Sequence, residues 1–165
     1  MSENLSLEQL QQEAVAFRAG QDAVMLATTA ADGTPDASYA PCVLDDDGRC
    51  HVLISQLAQH TQNLLERPAA SLLWIEERAA ARNPFARRRL VLSCAAVRID
   101  RDSRSWKDIV ERMEARLGNT VPLLTSLGDF MLFRFEALDG NYVRGFARAY
   151  PVSGNGLAMA ERRTR

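Results

Sequence analysis

The residues best suited to binding chemistry follow a short apolar run. The run HVLI, residues 51–54, is typical of a buried strand, and the polar stretch SQLAQHTQNL, residues 55–64, comes directly after it. If a helix starts here with Ser55 as its N-cap, the free N–H groups of its first turn attract a phosphate. Four side chains would add hydroxyl, imidazole and amide donors: Ser55, His60, Thr61 and Asn63. The alternative is a capped surface helix with one half-exposed histidine, and spacing alone favours that alternative.

Three consecutive arginines form the second candidate group. Arg87, Arg88 and Arg89 lead into the strand-like run RLVLSCAAVRI. Because side chains alternate along a strand, we expect Arg87 and Arg89 to face one way and Arg88 the other. Two guanidinium groups on one face could bind a phosphate or a propionate. The alternative is a solvated start of a strand.

The other titratable residues have structural interpretations. His51 lies among apolar neighbours and is expected to be packed, and Asp45–Asp47 belong to a turn. Asp129 follows a glycine at the start of a strand, where a cap or turn role is expected. The three cysteines lie in strand-like runs and are expected to act as small buried hydrophobic residues: Cys42, Cys50 and Cys94. No spacing supports a nucleophile, a base and an orienting acid, so we assign no catalytic residue and no metal ligand.

Composition indicates an ordinary globular protein. The chain has 165 residues, 47% hydrophobic and 25% charged residues, and a formal net charge of −1, which favours one domain and gives no attraction to nucleic acid or an anionic membrane. No apolar run approaches the ~18 residues of a membrane span. Three widely spaced cysteines and a polar, acidic N-terminus predict a reducing, cytoplasmic location.

The first half of the chain reads as a helix and three strands. A helix is predicted over about 6–19, because Ser6 and Gln9 have the form of a capping box and Gly20 stands where helices commonly end. The turn signal Asp32-Gly33 joins two strand-like runs, residues 23–30 and 36–44, and the turn 45–49 leads to a third. These three strands form a predicted meander.

The second half adds helices and further strands. A short helix is predicted over about 56–66, with one core-facing stripe (Leu57, Thr61, Leu64 and Leu65) and one polar stripe (Gln56, His60, Asn63 and Arg67). Strands follow at 70–77 and 89–99, and a helix capped by Ser103 runs to Gly118. A last hairpin is predicted over 130–150 with its turn at Asp139-Gly140. Six or more strands in hairpins with helices between them predict a mainly β, α+β fold: a small antiparallel barrel with peripheral helices.

Four segments together resemble a known family. They are ATTAADGTPDASYAPCVLDDDGRCHVLISQLAQHTQNL, NPFARRRLVLSCAAV, GDFMLFRFEAL and YVRGFARAYPVSG. Their order and spacing resemble the pyridoxamine 5′-phosphate oxidase-like, FMN-binding split-barrel superfamily, and more narrowly its heme-utilization branch of the HugZ/HutZ type. The resemblance runs from about Leu7 to Gly154.

The resemblance implies a six-stranded split barrel that forms a homodimer, with cofactor sites at the subunit interface. In the oxidase-like relatives, the turn matching residues 55–63 helps to hold the FMN phosphate, and the start of the strand at Arg89 contributes. In the heme-utilization relatives the same cleft holds heme and supports oxidative ring opening. There the arginine matching Arg89 lies near the heme, and the acid matching Asp129 belongs to an interface hydrogen-bond arrangement.

The sequence departs from both cofactor patterns. The heme branch supplies an iron-binding histidine from a C-terminal segment, whereas the tail NGLAMAERRTR has none. Heme iron would then need another donor, for which the sequence offers His60, His51, Tyr150, Met159 or a cysteine. On the flavin side, His60 stands where a lysine is common, and neutral histidine is a weaker anion anchor than lysine.

Three functional hypotheses follow. The leading one is an FMN-binding, oxidoreductase-type homodimer in which Ser55, His60, Thr61 and Asn63 contact phosphate or ribityl groups, while Arg87 and Arg89 add charge. The second is heme binding in the same cleft, with or without degradation, and the third is a cofactor-free dimeric binding module. Activity stays open between a flavin-dependent oxidoreductase and a heme oxygenase-like enzyme, as does the order of the tail, residues 154–165.

Overall fold

Consecutive hairpins build a closed barrel in the computed structural model, which describes residues 5–146 and 148–161. The strands are β1 (Ala23–Thr29), β2 (Pro35–Leu44), β3 (Cys50–Ser55), β4 (Ala69–Ile75), β5 (Arg89–Ile99), β6 (Phe130–Gly145), β7 (Arg148–Ser153) and β8 (Ala158–Met159). The strand order is β3-β2-β1-β4-β5-β6, and β3 also pairs with β6. The predicted antiparallel barrel is therefore confirmed with six strands, and β7 and β8 extend the sheet beyond β6.

The predicted turn at Asp139-Gly140 is wrong. Strand β6 continues through both residues, and Gly140 pairs with Leu92 of β5. A Cβ atom at Gly140 would collide with the carbonyl oxygen of Val91, so this glycine allows a close approach of two strands beside a β-bulge at Ser93. The chain reverses instead between β6 and β7.

Within the described residues, four α-helices accompany the barrel: α1 (Leu7–Ala19), α2 (Gln59–Glu66), α3 (Arg104–Leu117) and α4 (Thr120–Ser126). The predicted capping box is present at the start of α1, where Ser6 and Gln9 each accept the other's backbone N–H. Ser103 caps α3, which ends at Gly118 with a φ of 89°. Helix α4 was not predicted; its proline lies in the first turn, where a missing N–H costs little.

Two apolar clusters organise the packing. The larger fills the barrel interior around side chains such as Trp74, Phe135 and Tyr142, and it contains the three cysteines, which are free and buried as expected. The smaller lies outside the barrel wall, where α3 and α4 cover β3 through contacts that include Trp106, Met113 and Leu53. This outer cluster forms the floor of the candidate site.

The tail is fastened to the first helix. Buried Arg18 of α1 donates from Nη2 to the carbonyl oxygen of Asn155 at 2.8 Å, and Gln11 donates to the carbonyl oxygen of Gly156 at the same distance. The side-chain oxygen of Asn155 accepts from the N–H of Ala137 in β6. Residues 154–161 therefore pack on the barrel, and residues 162–165 of the tail lie outside the described residues.

None of the helices in residues 5–146 and 148–161 is long and apolar enough to cross a membrane.

Candidate functional site

Helix α2 starts later than the sequence suggests. Its first residue is Gln59 and its N-cap is Ala58, which has no capping side chain, so the prediction that Ser55 caps this helix is wrong. The Ser55 hydroxyl instead donates to Oδ2 of Asp129 at 2.6 Å and accepts from the N–H of Leu57 at 3.1 Å. Ser55 thereby joins the end of β3 to the segment before β6.

The amphipathic stripes predicted for α2 are partly wrong. Leu57 precedes the helix and is 89% exposed, and Leu65 is also exposed, whereas Asn63 of the predicted polar stripe is buried. Asn63 donates to Oγ1 of Thr28 at 2.9 Å and accepts from the side-chain amide of Gln59 at the same distance. A buried amide that finds both kinds of partner holds α2 against β1.

Thr61 is also committed to the protein interior. It is fully buried, and its hydroxyl donates to the carbonyl oxygen of Ser55 at 2.6 Å. Of the four side chains predicted on α2 and its approach, Ser55 and His60 line the apolar cleft described below, and the Ser55 hydroxyl already has two partners.

His60 is half-buried at the second position of α2. Its Nδ1 lies 2.9 Å from Oγ of Ser38 in β2, and no described residue is hydrogen-bonded to its Nε2. Burial lowers the pKa of His60, with the nearby Asp36 carboxylate opposing that effect. The imidazole is therefore neutral near pH 7.

His60 and Ser55 border an apolar cleft of about 570 Å³ between β2, the end of β3, α3 and α4. That volume falls within the roughly 300–1,000 Å³ typical of small-molecule sites. The walls are mainly apolar, and the larger lining side chains are Tyr39, Leu53, Met113, Leu117, Val121, Leu124 and Phe130. No arginine or lysine of the described residues lines the cleft.

Several residues that line this cleft could not be predicted from the sequence. Tyr39 is 65% exposed, and its side chain lies on the outer face of β2, where a strand pattern alone suggests only a surface residue. Met113 and Leu117 lie on the packed face of α3, and what that face covers depends on tertiary packing. Val121 and Leu124 belong to the helix α4 that was not predicted.

The predicted arginines lie elsewhere. Only Arg89 is in β5, because Arg87 ends a 3₁₀ turn, so the expected alternation over three residues does not hold. The Arg87 Nε donates to the carbonyl oxygen of Glu76 at 2.8 Å, and the Arg88 Nε donates to the Glu76 carboxylate at 2.9 Å. The Arg89 guanidinium donates to the carbonyl oxygen of Arg87.

The pairing of β4 with β1 and β5 shows that these arginines and the strand residue next to α2 lie at different heights along the sheet. Ala27, the neighbour of Thr28, pairs with Ser71 of β4, whereas Arg89 pairs with Ile75. Four residues along a strand correspond to roughly 13 Å at ~3.3 Å per residue. One chain therefore brings Ser55, His60, Thr61 and Asn63 together but leaves Arg87 and Arg89 apart from them.

His51 has the packed environment expected from its sequence context. It is 3% exposed, and its Nε2 lies 3.0 Å from the Asp45 carboxylate. Burial lowers the pKa of His51 although Asp45 opposes the shift. In the part of the chain that the structure describes, no three His, Cys, Asp or Glu side chains gather in a way that could hold a metal ion.

Comparison with known proteins supplies an independent line of evidence. Residues 10–144 match the family model described as pyridoxamine 5′-phosphate oxidase. The chain is 40% identical over 148 residues to the heme oxygenase HutZ of Vibrio cholerae, covering 90% of this chain and 84% of HutZ.

Solved structures agree with this family match. The crystal structure of HutZ, described as the heme storage protein of Vibrio cholerae, superposes with a TM-score of 0.72 over 76% of this chain and 88% of that one. Campylobacter jejuni ChuZ, 25% identical, superposes with a TM-score of 0.84 over 92% of this chain and 62% of its own.

Proposed function

Because the chain belongs to the pyridoxamine 5′-phosphate oxidase family, in the heme-utilization branch that includes HutZ, we propose that its apolar cleft binds heme. The observation that carries this proposal is the pairing of an apolar cleft with a neutral imidazole at its border. Heme is a large apolar ring with an iron centre, so it needs apolar walls and a nitrogen, sulfur or oxygen donor. Bound heme would supply iron-centred oxidative chemistry.

The lining residues fit an apolar ring better than a flavin phosphate. Leu53, Met113 and Val121 would contact the ring and exclude water from it. A phosphate, in contrast, needs cations or free N–H and O–H donors. No basic residue lines the cleft, and the hydroxyl and amide groups of Ser55, Thr61 and Asn63 are already hydrogen-bonded. The uncapped first turn of α2 is the remaining source of free N–H donors for a phosphate.

We include a second copy of the chain in the proposal. Arg87 and Arg89 do not line the cleft of their own chain, so a second copy would bring them to an anionic group of the cofactor, such as a propionate. Exposed apolar side chains near the cleft support burial in a homodimer: Tyr39, Leu57 and Leu123. Free, buried cysteines agree with a reducing, cytoplasmic setting.

The test is a hemin titration of purified protein, followed by absorbance. We expect a saturable Soret band with the wild-type chain and at least a tenfold weaker dissociation constant, about 1.4 kcal/mol, for Leu124→Trp, which fills the cleft. Leu138→Trp is the matched control, because it places the same indole on an exposed position of β6 outside the cleft. A wild-type chain without a saturable Soret band would overturn the proposal.

FMN is the second candidate, favoured by the family match over residues 10–144. In that case Ser55, His60, Thr61 and Asn63 would contact the phosphate or ribityl groups after some internal hydrogen bonds had rearranged. A parallel titration with FMN, followed by quenching of flavin fluorescence, separates the two cofactors. Saturable binding of FMN alone would support an oxidoreductase-type flavoprotein, and binding of neither would support a cofactor-free dimeric module.

A further inference from the structure

Arg18 is a buried cation without a carboxylate partner. It lies in the last turn of α1 and is 3% exposed. A guanidinium group stays protonated in proteins and has N–H donors on each of its nitrogens. Among the described residues, its hydrogen bond goes from Nη2 to the carbonyl oxygen of Asn155 at 2.8 Å, while Nε is buried and has no partner. No described Asp or Glu forms an ion pair with Arg18.

Holding the tail does not account for this charge. A neutral side chain with one N–H donor could bind the carbonyl oxygen of Asn155, whereas burying an ion is unfavourable unless the ion is paired. Burial lowers the pKa of Arg18, and the Asp45 carboxylate opposes that shift. Asp45 is itself committed to other donors, because its two oxygens accept from the N–H groups of Asp47 and Arg49, from the Arg49 guanidinium and from His51. Arg18 therefore has donors that the fold does not use.

Arg18 lines a second cleft, which has a volume of about 340 Å³ and lies between α1, α3 and the turn that joins β2 to β3. That volume falls within the roughly 300–1,000 Å³ typical of small-molecule sites. Arg112 and Arg116 of α3 line the same cleft, which we call the arginine cleft after these three residues. The apolar part of its wall is formed by Val15, Ala19, Val43 and Leu44.

The other charges of the arginine cleft are paired within the chain. Arg112 Nη2 lies 2.8 Å from Oδ1 of Asp46, and Arg116 Nε lies 2.6 Å from Oδ1 of Asp22. Among the described residues that line this cleft, Arg18 is thus the cation that has no carboxylate partner. An anion that entered the cleft would supply the missing counter-charge.

We propose that the arginine cleft binds the oxyanion group of a small molecule, a carboxylate or a phosphate, through the guanidinium of Arg18. The planar guanidinium fork matches the two oxygens of such a group and binds it through charge-assisted hydrogen bonds. Val15, Val43 and Leu44 would contact an aliphatic part of the ligand. The proposal does not depend on heme, because the arginine cleft and the apolar cleft beside α2 share no lining residue.

The experiment is a titration of arginine-labelled protein at pH 7, followed through the ¹H–¹⁵N signal of Arg18 Nε. The probes are sodium butyrate and sodium phosphate, and sodium chloride at matched ionic strength is the control. The signal is assigned by its absence from the spectrum of Arg18→Lys, which keeps the positive charge. We expect a saturable shift with an oxyanion and, at the same concentrations, a rise in Tm, because a ligand that binds the folded state stabilises it.

A steric variant tests the location. Val15→Trp places an indole in the arginine cleft, and we expect it to bind the oxyanion about tenfold more weakly than the wild-type chain. Gln12→Trp is the matched control, because it adds the same indole at an exposed position of α1 that does not line this cleft. Equal affinities of the two variants would overturn the placement of the ligand.

The wild-type titration alone can refute the proposal, so the test does not depend on the folding of a variant. Saturation by butyrate identifies a carboxylate ligand, and saturation by phosphate identifies a phosphate ligand. Equal shifts in all three salts would show only charge screening and overturn the proposal. A signal that changes with protein concentration and not with either oxyanion would overturn it too, because the acceptor would then come from a second copy of the chain.

Discussion

Strand β3 has a histidine region at each end, and the two regions use their polar groups in opposite ways. At its start, the Asp45 carboxylate accepts from the N–H groups of Asp47 and Arg49, from the Arg49 guanidinium and from His51 Nε2. At its end, Ser55 bonds to Asp129, and His60 contacts only Ser38 through Nδ1. In the first region, Nε2 of His51 is hydrogen-bonded within the network around Asp45. In the second region, Nε2 of His60 has no hydrogen-bond partner among the described residues.

The difference shows how burial and partner type together decide what a histidine can do. Burial lowers the pKa of both side chains, so both are neutral near pH 7. Their neutral forms differ, because a carboxylate can only accept and therefore requires hydrogen on Nε2 of His51. His51 is left with a buried Nδ1 that has no partner, whereas His60 has an accessible Nε2.

The largest expected effect comes from removing the carboxylate at each end of β3. Asp45→Ala leaves several donors of the first region without an acceptor, so we expect the free energy of unfolding to fall by about 2–3 kcal/mol. Asp129→Ala removes one side-chain bond to Ser55 and should cost about 1 kcal/mol. Urea denaturation of both variants measures the difference; an equal or larger loss for Asp129→Ala would contradict the comparison.

A smaller effect is expected in the pH dependence of stability. Because the folded-state pKa of each histidine is lowered, the unfolded chain binds the proton more readily, and stability falls as pH drops below the unfolded value of ~6.5. Urea denaturation at pH 7.5 and 5.5 should show this loss. His51→Gln should remove the larger share of it, because His51 is 3% exposed and His60 is half-buried. A steeper pH dependence in His51→Gln than in the wild type would exclude this explanation.

The smallest expected effect is a spectral one. Long-range ¹H–¹⁵N spectra of histidine-labelled protein at pH 8 should show hydrogen on Nε2 of His51 and on Nδ1 of His60. The hydrogen is on Nδ1 of His60 because Ser38 donates to the carbonyl oxygen of Leu26 and therefore accepts from the ring. Ser38→Ala should change the nitrogen shifts of His60 alone. If both histidines carry their hydrogen on the same ring nitrogen in the unliganded wild-type chain, the proposed difference between the two ends of β3 is wrong.

Much of the fold could be predicted because its signals are local. The capping box at Ser6, the glycine turn at Gly33 and the apolar alternation of residues 89–99 each report on a few neighbouring residues, and each is confirmed. The signal at Asp139-Gly140 failed, since the same two residues suit a tight turn and a close approach of strands. Only the position of Val91 in the neighbouring strand distinguishes these cases.

Only those residues of the candidate site that lie close together in the sequence could be predicted from it. Ser55 and His60 were found as polar residues after an apolar strand, and both border the cleft. Ser38, which positions His60, is 22 residues away and has no distinguishing pattern of its own. The apolar walls contributed by Tyr39 and α4 become visible only when the outer packing of β2 and β3 is known.

The fastening of α1 to the tail has a consequence for how the chain folds during synthesis. Gln11 is separated from its partner Gly156 by 145 positions. At roughly 5–20 residues per second, the ribosome completes the tail segment roughly 7–30 s after it has made α1. During that interval the apolar face of α1, formed by Leu10, Ala14 and Phe17, has no finished barrel to cover it. The nascent chain therefore offers a chaperone its first helix as an early and long-lived binding segment.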